Sequence, residues 1–347
     1  MKTKRILVTG AAGYVGSICT ETLLDTGYDV IVVDSLQNGN REAVLPPAKF
    51  VALDLCDGDA LCDLFQAESI DAVMHFAALA DVTTSVQDPH RFFRNNVAGS
   101  LNLLEAMLAS GVRDLIFSSS AAVYGEPQSV PIDEDHPKCP VNSYGESKLA
   151  TERMLAWYVK AYQFRCVSLR YFNAAGATTK LGEDRSNESH LIPSLLDVAL
   201  GKRPEIAIYG RNYSTKDGTC LRDYVHVRDI VSAHVLCLEH LEDLELEAFN
   251  VGHGVGYTVQ EVLKEARDVT RRPIAARVAS PRPGDPAALV ATPGKLTTRL
   301  GWRPQYSNLR TIIEDAWAWR LAHPAGYGHG TFTELPQIPA VSQSRGL

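Results

Sequence analysis

The chain has 347 residues, 45% hydrophobic and 22% charged, with no low-complexity stretch, enough apolar material for one large α/β unit or two domains sharing a cleft. A formal charge of −7, from 34 basic and 41 acidic residues with no basic run, excludes a general nucleic-acid binder; an anionic ligand would need arginines converging in one cleft. Seven scattered cysteines without C-x-x-C pairs or zinc-site spacing predict free thiols and no metal site, and the lack of an apolar run of ~18 residues, with a strand-like run already at Ile6, predicts a cytoplasmic protein without membrane span or secretory leader.

In chain order, the β-rich runs RILVTG, YDVIVVD, KFVALD, DAVMHFAA, DLIFSSS and FRCVSLRYFN alternate with helical patterns at Ser17–Asp25, Ala60–Glu68, Asn96–Ser110 and Ser147–Tyr162. Alternation of this kind builds βαβ units, and strands apolar at nearly every position are those covered by helices on both faces. The expected fold is α/β: a Rossmann-type doubly wound parallel sheet with a smaller mixed α/β substrate-binding domain.

The first run leads into Thr9-Gly10-Ala11-Ala12-Gly13-Tyr14-Val15-Gly16, which opens a helix. Gly10 permits a tight turn, Gly13 lets backbone approach a pyrophosphate, and Gly16 lets helix and strand pack closely, with the phosphates facing the helix N-terminus. A glycine triplet alone is weak, but Asp34 ends the second run 18 residues after Gly16, where a ribose-binding acid belongs. Asp34 repels a 2′-phosphate and the nearest arginine is Arg41, so NAD is favoured over NADP. Asp54 closes the third run and has two readings, an acceptor for the adenine amino group or a strand-end cap.

Further along, Ser118-Ser119-Ser120 ends a buried run, at the carboxyl end of a strand where such sheets place ligands. Tyr144 and Lys148 open a long helical pattern, and residues four apart share one helix face. A phenol with a pKa near ~10 is a poor base at neutral pH unless a nearby ammonium favours its phenolate. Tyr-x-x-x-Lys also occurs by chance on surface helices; its place after the fifth strand points to hydride chemistry on an alcohol carbon.

After Asn173 the rhythm breaks into the polar stretch Ala174–Ser189, then short mixed elements. The expected division is an NAD-binding domain over 1–173, to which segments around 223–252 return, and a substrate-binding domain over 174–330. Residues 331–347, with Pro336 and Pro339, read as a flexible tail.

The motifs TGAAGYVG, DSLQN, HFAA, NNVAGSLNLL, SSSAAVYG, YGESKL, LRYFNAAGA, DGTCLRDYVHV and RPGDPAALVA, in order from about Ile6 to Tyr327, resemble the extended short-chain dehydrogenase/reductase family, and within it most closely the UDP-glucose (UDP-galactose) 4-epimerases. The resemblance implies a bound NAD, a UDP-sugar substrate and a homodimer. It implies catalytic roles for Ser120, Tyr144 and Lys148. Beside Gly10, Gly13, Gly16, Asp34 and Asp54, the implied cofactor-binding positions are Tyr14, Val15, Asn38, Leu55, Phe76, Ala77, Ala78, Asn95, Tyr144, Lys148 and Tyr171. Ser120, Tyr144, Asn173, His190, Leu191, Arg222, Arg282 and Asp285 are the implied substrate-binding positions, and arginines suit a diphosphate because a guanidinium offers it a bidentate fork. Without the family, Arg222-Asp223 would read equally well as a structural ion pair.

Three positions depart from the pattern: His190 where some members carry asparagine, Ala80 where some carry lysine, and Leu289 where some carry a tyrosine that narrows the sugar pocket. The implied reaction, a step of galactose metabolism, is interconversion of UDP-galactose and UDP-glucose. Tyr144 takes the O4 proton while C4 gives a hydride to NAD, and the 4-keto sugar turns before the hydride returns. Alternatives are the same inversion on a UDP-N-acetylhexosamine, uronic acid or pentose, and an NAD-sensing protein without turnover. A 4,6-dehydratase would need an Asp-Glu pair where Ala121 and Ala122 stand.

Overall fold

The computed structural model describes residues 3–186, 188–282 and 285–328; the tail expected over 331–347 lies outside the described residues. In chain order the elements are β1 (Arg5–Thr9), α1 (Tyr14–Asp25), β2 (Asp29–Asp34), β3 (Lys49–Ala52), α2 (Gly58–Ala67), β4 (Ala72–His75), α3 (Val82–Gln87) and α4 (Pro89–Phe92). There follow α5 (Gly99–Ala109), β5 (Asp114–Ser120), α6 (Ser143–Tyr162), β6 (Arg165–Tyr171), β7 (Asn173–Ala175), α7 (Leu191–Ala199), β8 (Ile206–Tyr209) and β9 (Leu221–His226). The chain closes with α8 (Val227–Glu239), β10 (Leu246–Val251), β11 (Gly256–Thr258), α9 (Val259–Thr270), β12 (Ala276–Ala279), β13 (Ala288–Leu289), α10 (Gly294–Leu300) and α11 (Leu309–Ala322).

Seven strands form one parallel sheet in the order β10-β6-β5-β4-β1-β2-β3. Alternate residues of each strand serve opposite faces. Ile6 and Val8 pack with Val30, Val32, Met74, Ile18 and Ile230 on one side. Leu7 packs with Ile31, Val33, Val73, Leu61, Leu103 and Leu155 on the other. This is the doubly wound Rossmann-type arrangement that the apolar runs predict. The order reverses between β1 and β4, so the crevice at their carboxyl ends is the place where such a sheet binds ligands.

Several boundaries differ from the sequence reading. The first helix starts at Tyr14, because Gly13 takes an extended conformation and serves as its N-cap. The fifth begins after a π-helical stretch, Phe93–Ala98, continuous with α4. Asn142 starts α6 at Ser143 by accepting from the Gly145 N–H at 2.8 Å. Of the 223–252 stretch, β10 pairs with β6 in the main sheet and α8 packs beside α1, whereas β9 lies in a second sheet with β7, β11 and β13. That sheet, the β8–β12 pair and helices α7, α9 and α11 enclose a separate core around Leu195, Leu196, Leu263, Ile312 and Ile313. Among the described residues no helix is long and apolar enough to cross a membrane, and the cysteines are free thiols.

Candidate active site

The glycine loop sits at the reversal crevice. Gly10 has φ +70°, and a Cβ there would lie 2.5 Å from the Ala77 nitrogen, so its absence lets the β1 and β4 ends touch. At Gly16 a Cβ would lie 2.2 Å from the Gly10 carbonyl oxygen, a helix-on-strand approach open only to glycine. Helix α1 has no side-chain cap at Gly13, so the first-turn N–H groups around Tyr14 and Val15 face the crevice without an intrahelical partner. Beside them Asp34 accepts from the Ala12 N–H at 3.0 Å and the Leu36 N–H at 2.8 Å. Burial pushes its carboxyl up while those two N–H groups pull it back. An uncapped helix start, a cradle that a Cβ would fill and a carboxylate at the second strand end together fit an adenine dinucleotide with a free ribose diol.

The other expected cofactor positions differ in their commitments. Asp54 accepts from Cys56 N–H and from Gln37 Nε2, both at 2.9 Å, so its carboxylate caps a turn and ties down the loop holding the exposed Asn38. Leu55 is buried against Gly99. The Tyr14 hydroxyl donates to the Gly176 carbonyl at 2.6 Å. Phe76, followed by half-buried Ala77 and Ala78, packs on His234 with ring centroids 4.6 Å apart, and the Tyr171 hydroxyl meets His234 Nε2 at 2.6 Å. Asn95 donates to Asn96 Oδ1 at 2.9 Å.

Asn96 is a residue that sequence reasoning missed. It is buried, accepts from the Leu79 N–H at 2.8 Å, and donates to the Leu79 carbonyl at 3.0 Å and to Ser147 Oγ at 2.9 Å. It thereby locks the loop after β4 to the first turns of α6. His75 works similarly: because Ser100 Oγ donates to the Asn96 carbonyl, His75 Nε2 donates to Ser100 and Nδ1 accepts from Thr9. Burial brings its pKa down to about 3, with the Lys148 charge acting in the same direction, so the ring is neutral. Two asparagines together inside an apolar helical pattern were the available signal.

Helix α6 meets the end of β5 at close range, since a Cβ on Gly145 would lie 2.4 Å from the Ala122 carbonyl oxygen. Tyr144 is thereby set against Ser120, whose Oγ accepts from the Ala122 N–H at 3.2 Å. Ala121 and Ala122 form the turn after Ser120 and offer no acid. Lys148 is buried, donates to the Ser118 carbonyl at 2.7 Å, and lies 6.0 Å from the Tyr144 ring centroid. Burial lowers its pKa to about 7, with Glu152 opposing. Burial also raises the Tyr144 phenol, against the pull of the Ser120 hydroxyl and the Arg185 charge. The lysine expected to favour the phenolate is thus near the phenol but hydrogen-bonded to Ser118, and burial disfavours the charged form of both groups. Glu152, one turn beyond Lys148, accepts from Ser119 Oγ at 2.5 Å and pairs with Arg170 through Nε at 2.9 Å and Nη2 at 2.6 Å.

On the far side of the crevice, exposed Asn173 opens β7, and His190 with Leu191 opens α7. His190 Nδ1 meets Glu183 Oε1 at 2.7 Å. Arg222 on β9 pairs with Asp285, not with Asp223; the latter instead accepts backbone N–H groups of His253, Gly254 and Ala291. Arg282 stacks over the Tyr209 ring at 3.9 Å, and the Asp285 N–H donates to its carbonyl, so Arg222, Arg282 and Asp285 form one cluster. Leu289 pairs in register with Arg222, and half-buried Ala80 follows the loop that Asn96 holds. Glu183, Glu188 and His190 bring ligating atoms within 4.8 Å of one another, yet Arg185 donates into that group and Arg320 flanks it, so its carboxylates already face cations.

The model of the NAD dependent epimerase/dehydratase family matches residues 6–252. A UDP-glucose 4-epimerase of Halalkalibacterium halodurans is 49% identical over 325 residues, covering 93% of this chain and 97% of that relative. A crystal structure of a UDP-glucose 4-epimerase superposes with TM-score 0.91 at 48% identity, over 94% of this chain and all of the other. One from Bifidobacterium longum, in complex with NAD+ and UDP, gives TM-score 0.90 at 36% identity over 93% of this chain and all of the other. The family match and the near full-length identity agree, and the chain belongs to the NAD dependent epimerase/dehydratase family, alongside its UDP-glucose 4-epimerases.

Proposed function

We propose that this chain is an NAD-dependent isomerase that interconverts UDP-galactose and UDP-glucose by inverting C4 through a transient 4-keto sugar. One juxtaposition carries the reading: Tyr144, Ser120 and Lys148 meet at the end of β5, across the crevice from the glycine loop and Asp34. Tyr144 takes the proton from O4 and gives it back, and the Ser120 hydroxyl holds the same oxygen. Lys148 keeps a proton near the phenol while anchored on the Ser118 carbonyl. NAD, held by the glycine loop and Asp34, would supply positive charge favouring the Tyr144 phenolate and a reversible acceptor for the C4 hydride. Arg222 and Arg282 grip the diphosphate with Asp285 behind Arg222, His190 adds a donor, and Asn173 and Leu191 line the nucleotide side. Gripping the nucleotide leaves the hexose free to turn.

The NAD-binding part comprises 1–173 with the returning α8 and β10, and 174–330 otherwise binds substrate. We also assign a homodimer and a cytoplasmic location. Leu101 on α5 and Trp157 and Tyr162 on α6 are large apolar side chains left exposed on neighbouring helices, suited to a second copy of the chain; the free thiols suit a reducing compartment. Leu289, opposite Arg222, favours a second reading in which N-acetylated UDP-sugars are also accepted. The test is incubation of purified protein with UDP-galactose, without added NAD, and separation of the nucleotide sugars. UDP-glucose appears on this account; no conversion even with NAD supplied overturns it.

A further inference from the structure

The segment between β7 and α7 gathers more charge than the reaction itself uses. Glu183 is buried, and its single oxygen Oε1 accepts from Arg185 Nε at 2.7 Å while meeting His190 Nδ1 at 2.7 Å. Glu188 accepts the His190 backbone N–H at 2.8 Å. Ring and backbone of His190 are therefore both fixed, while 41% of its side chain is exposed. With Nδ1 taken by Glu183, Nε2 is the nitrogen left to meet a ligand.

We propose that Glu183 is a positioning residue for the nucleotide sugar: it holds His190 with its Nε2–H turned to the diphosphate and Arg185 on the Tyr144 side of the same pocket. The proposal rests on the reading above that His190 lies at the substrate phosphates. Two hydrogen bonds tie this segment to the crevice: the Tyr14 hydroxyl of the glycine loop donates to the Gly176 carbonyl at 2.6 Å, and Ser189 Oγ, next to His190, donates to Asp81 at the head of α3 at 2.9 Å; the Arg185 charge in addition favours the Tyr144 phenolate. Nothing in catalysis by Tyr144 requires a buried glutamate here, whereas a ring that must be both oriented and protonated toward a diphosphate does, because Glu183 fixes Nδ1 and favours the charged ring.

The charge balance around His190 sets the sign of its pH dependence. Facing it are Glu183, Arg185 and Glu188 of its own segment, and Asp81 at the head of α3, joined through Ser189 Oγ at 2.9 Å. Arg320 and Asp197 stand behind Glu188, Arg203 bonds the Glu188 carbonyl, and Tyr14 and Tyr144 close the cofactor side. The Glu183 charge outweighs burial and raises the His190 imidazolium. Burial would raise Glu183, but His190 and Arg185 hold it down to about 2, so its carboxylate is ionised and favours the protonated ring. An imidazolium donating to phosphate is a charge-assisted bond, lost as pH rises through the raised His190 value.

The experiment is calorimetric binding of UDP-glucose, whose diphosphate does not titrate near neutrality, to the NAD-loaded protein from about pH 6 to 9. Wild type, Glu183→Gln, Glu183→Asp and His190→Asn are compared, with histidine ring titrations followed by NMR. Wild-type affinity falls as pH rises through the His190 titration. Glu183→Gln shifts that titration and the fall in affinity to lower pH and weakens binding about tenfold near neutral pH; Glu183→Asp restores part of both. His190→Asn, at a half-exposed ring where folding is not at stake, flattens the profile. Wild-type affinity and pH profile in Glu183→Gln, or an unchanged profile in His190→Asn, overturns the proposal. Failure of the wild type to bind UDP-glucose at all overturns the substrate reading instead.

Discussion

Replacing Glu152 by Gln tests how the helix that carries Tyr144 and Lys148 is held. Glu152 and Arg170 have side-chain exposures of 9% and 6%, and both carboxylate oxygens are in use, one of them also by Ser119. Breaking a buried pair by removing one partner costs about 3–5 kcal/mol, because the other charge stays buried. Glutamine keeps one acceptor for Arg170, so the expected loss is at the lower end, about 3 kcal/mol, read from the urea midpoint at constant m. Lys148 adds a pH signature. Its folded pKa of about 7 lies below the unfolded value, so the unfolded chain binds more protons above pH 7 and stability from this group rises with pH. Glu152 is the charge that opposes the fall, so in the variant the Lys148 pKa drops further. The deficit is then larger at about pH 6, where the wild-type amine is protonated beside Glu152, than at about pH 8, where both proteins hold it neutral. Activity that depends on protonated Lys148 is lost at lower pH than in the wild type. An unchanged midpoint at both pH values, with an unchanged activity profile, would refute the reasoning.

Three further substitutions probe the rest of the crevice. Gly16→Ala places a methyl against the Gly10 carbonyl, which is backbone and cannot swing away; a loss of about 1–3 kcal/mol and release of NAD on gel filtration are expected, and a wild-type melt with retained NAD would contradict it. Asn96→Ala strips partners from the Leu79 N–H and carbonyl and from Ser147, a loss of about 1–3 kcal/mol, with a fall in kcat as the start of α6 loosens; both are read by urea titration and steady-state kinetics. Tyr144→Phe keeps NAD bound, measured by release on denaturation, while turnover drops by about two to four orders of magnitude; turnover within twofold of wild type would remove Tyr144 from the proton step.

The parts of this site that are local in sequence are the parts the sequence displays. The turn at Gly10, the packing at Gly16 and the carboxylate at Asp34 lie within one βαβ unit, and Tyr144 and Lys148 within one helical turn and a half, so spacing alone brings them together. The supports are different in kind. Arg222 meets Asp285 across 63 residues, Asn96 meets Ser147 across 51, and Tyr124 meets Asn250 across 126. Such pairs are set by how the strands stack, which no periodicity encodes. The same holds for β9, whose Leu-Arg-Asp-Tyr-Val-His run has no clean alternation to assign it to a sheet and whose partners β7, β11 and β13 are too short to announce themselves. The helix starts at Tyr14 and Ser143 depend on the extended backbone of Gly13 and the Asn142 cap, while the apolar pattern used to place those helices begins only later.

The central claim is that oxidation at C4 is undone within each turnover, on the same molecule of bound NAD. Conversion of UDP-galactose carrying deuterium at C4, in ordinary water and without added cofactor, tests it most directly. The account predicts UDP-glucose that retains the deuterium at C4, with none appearing in solvent or on free NADH. UDP-glucose with hydrogen at C4, washed in from water, would contradict it.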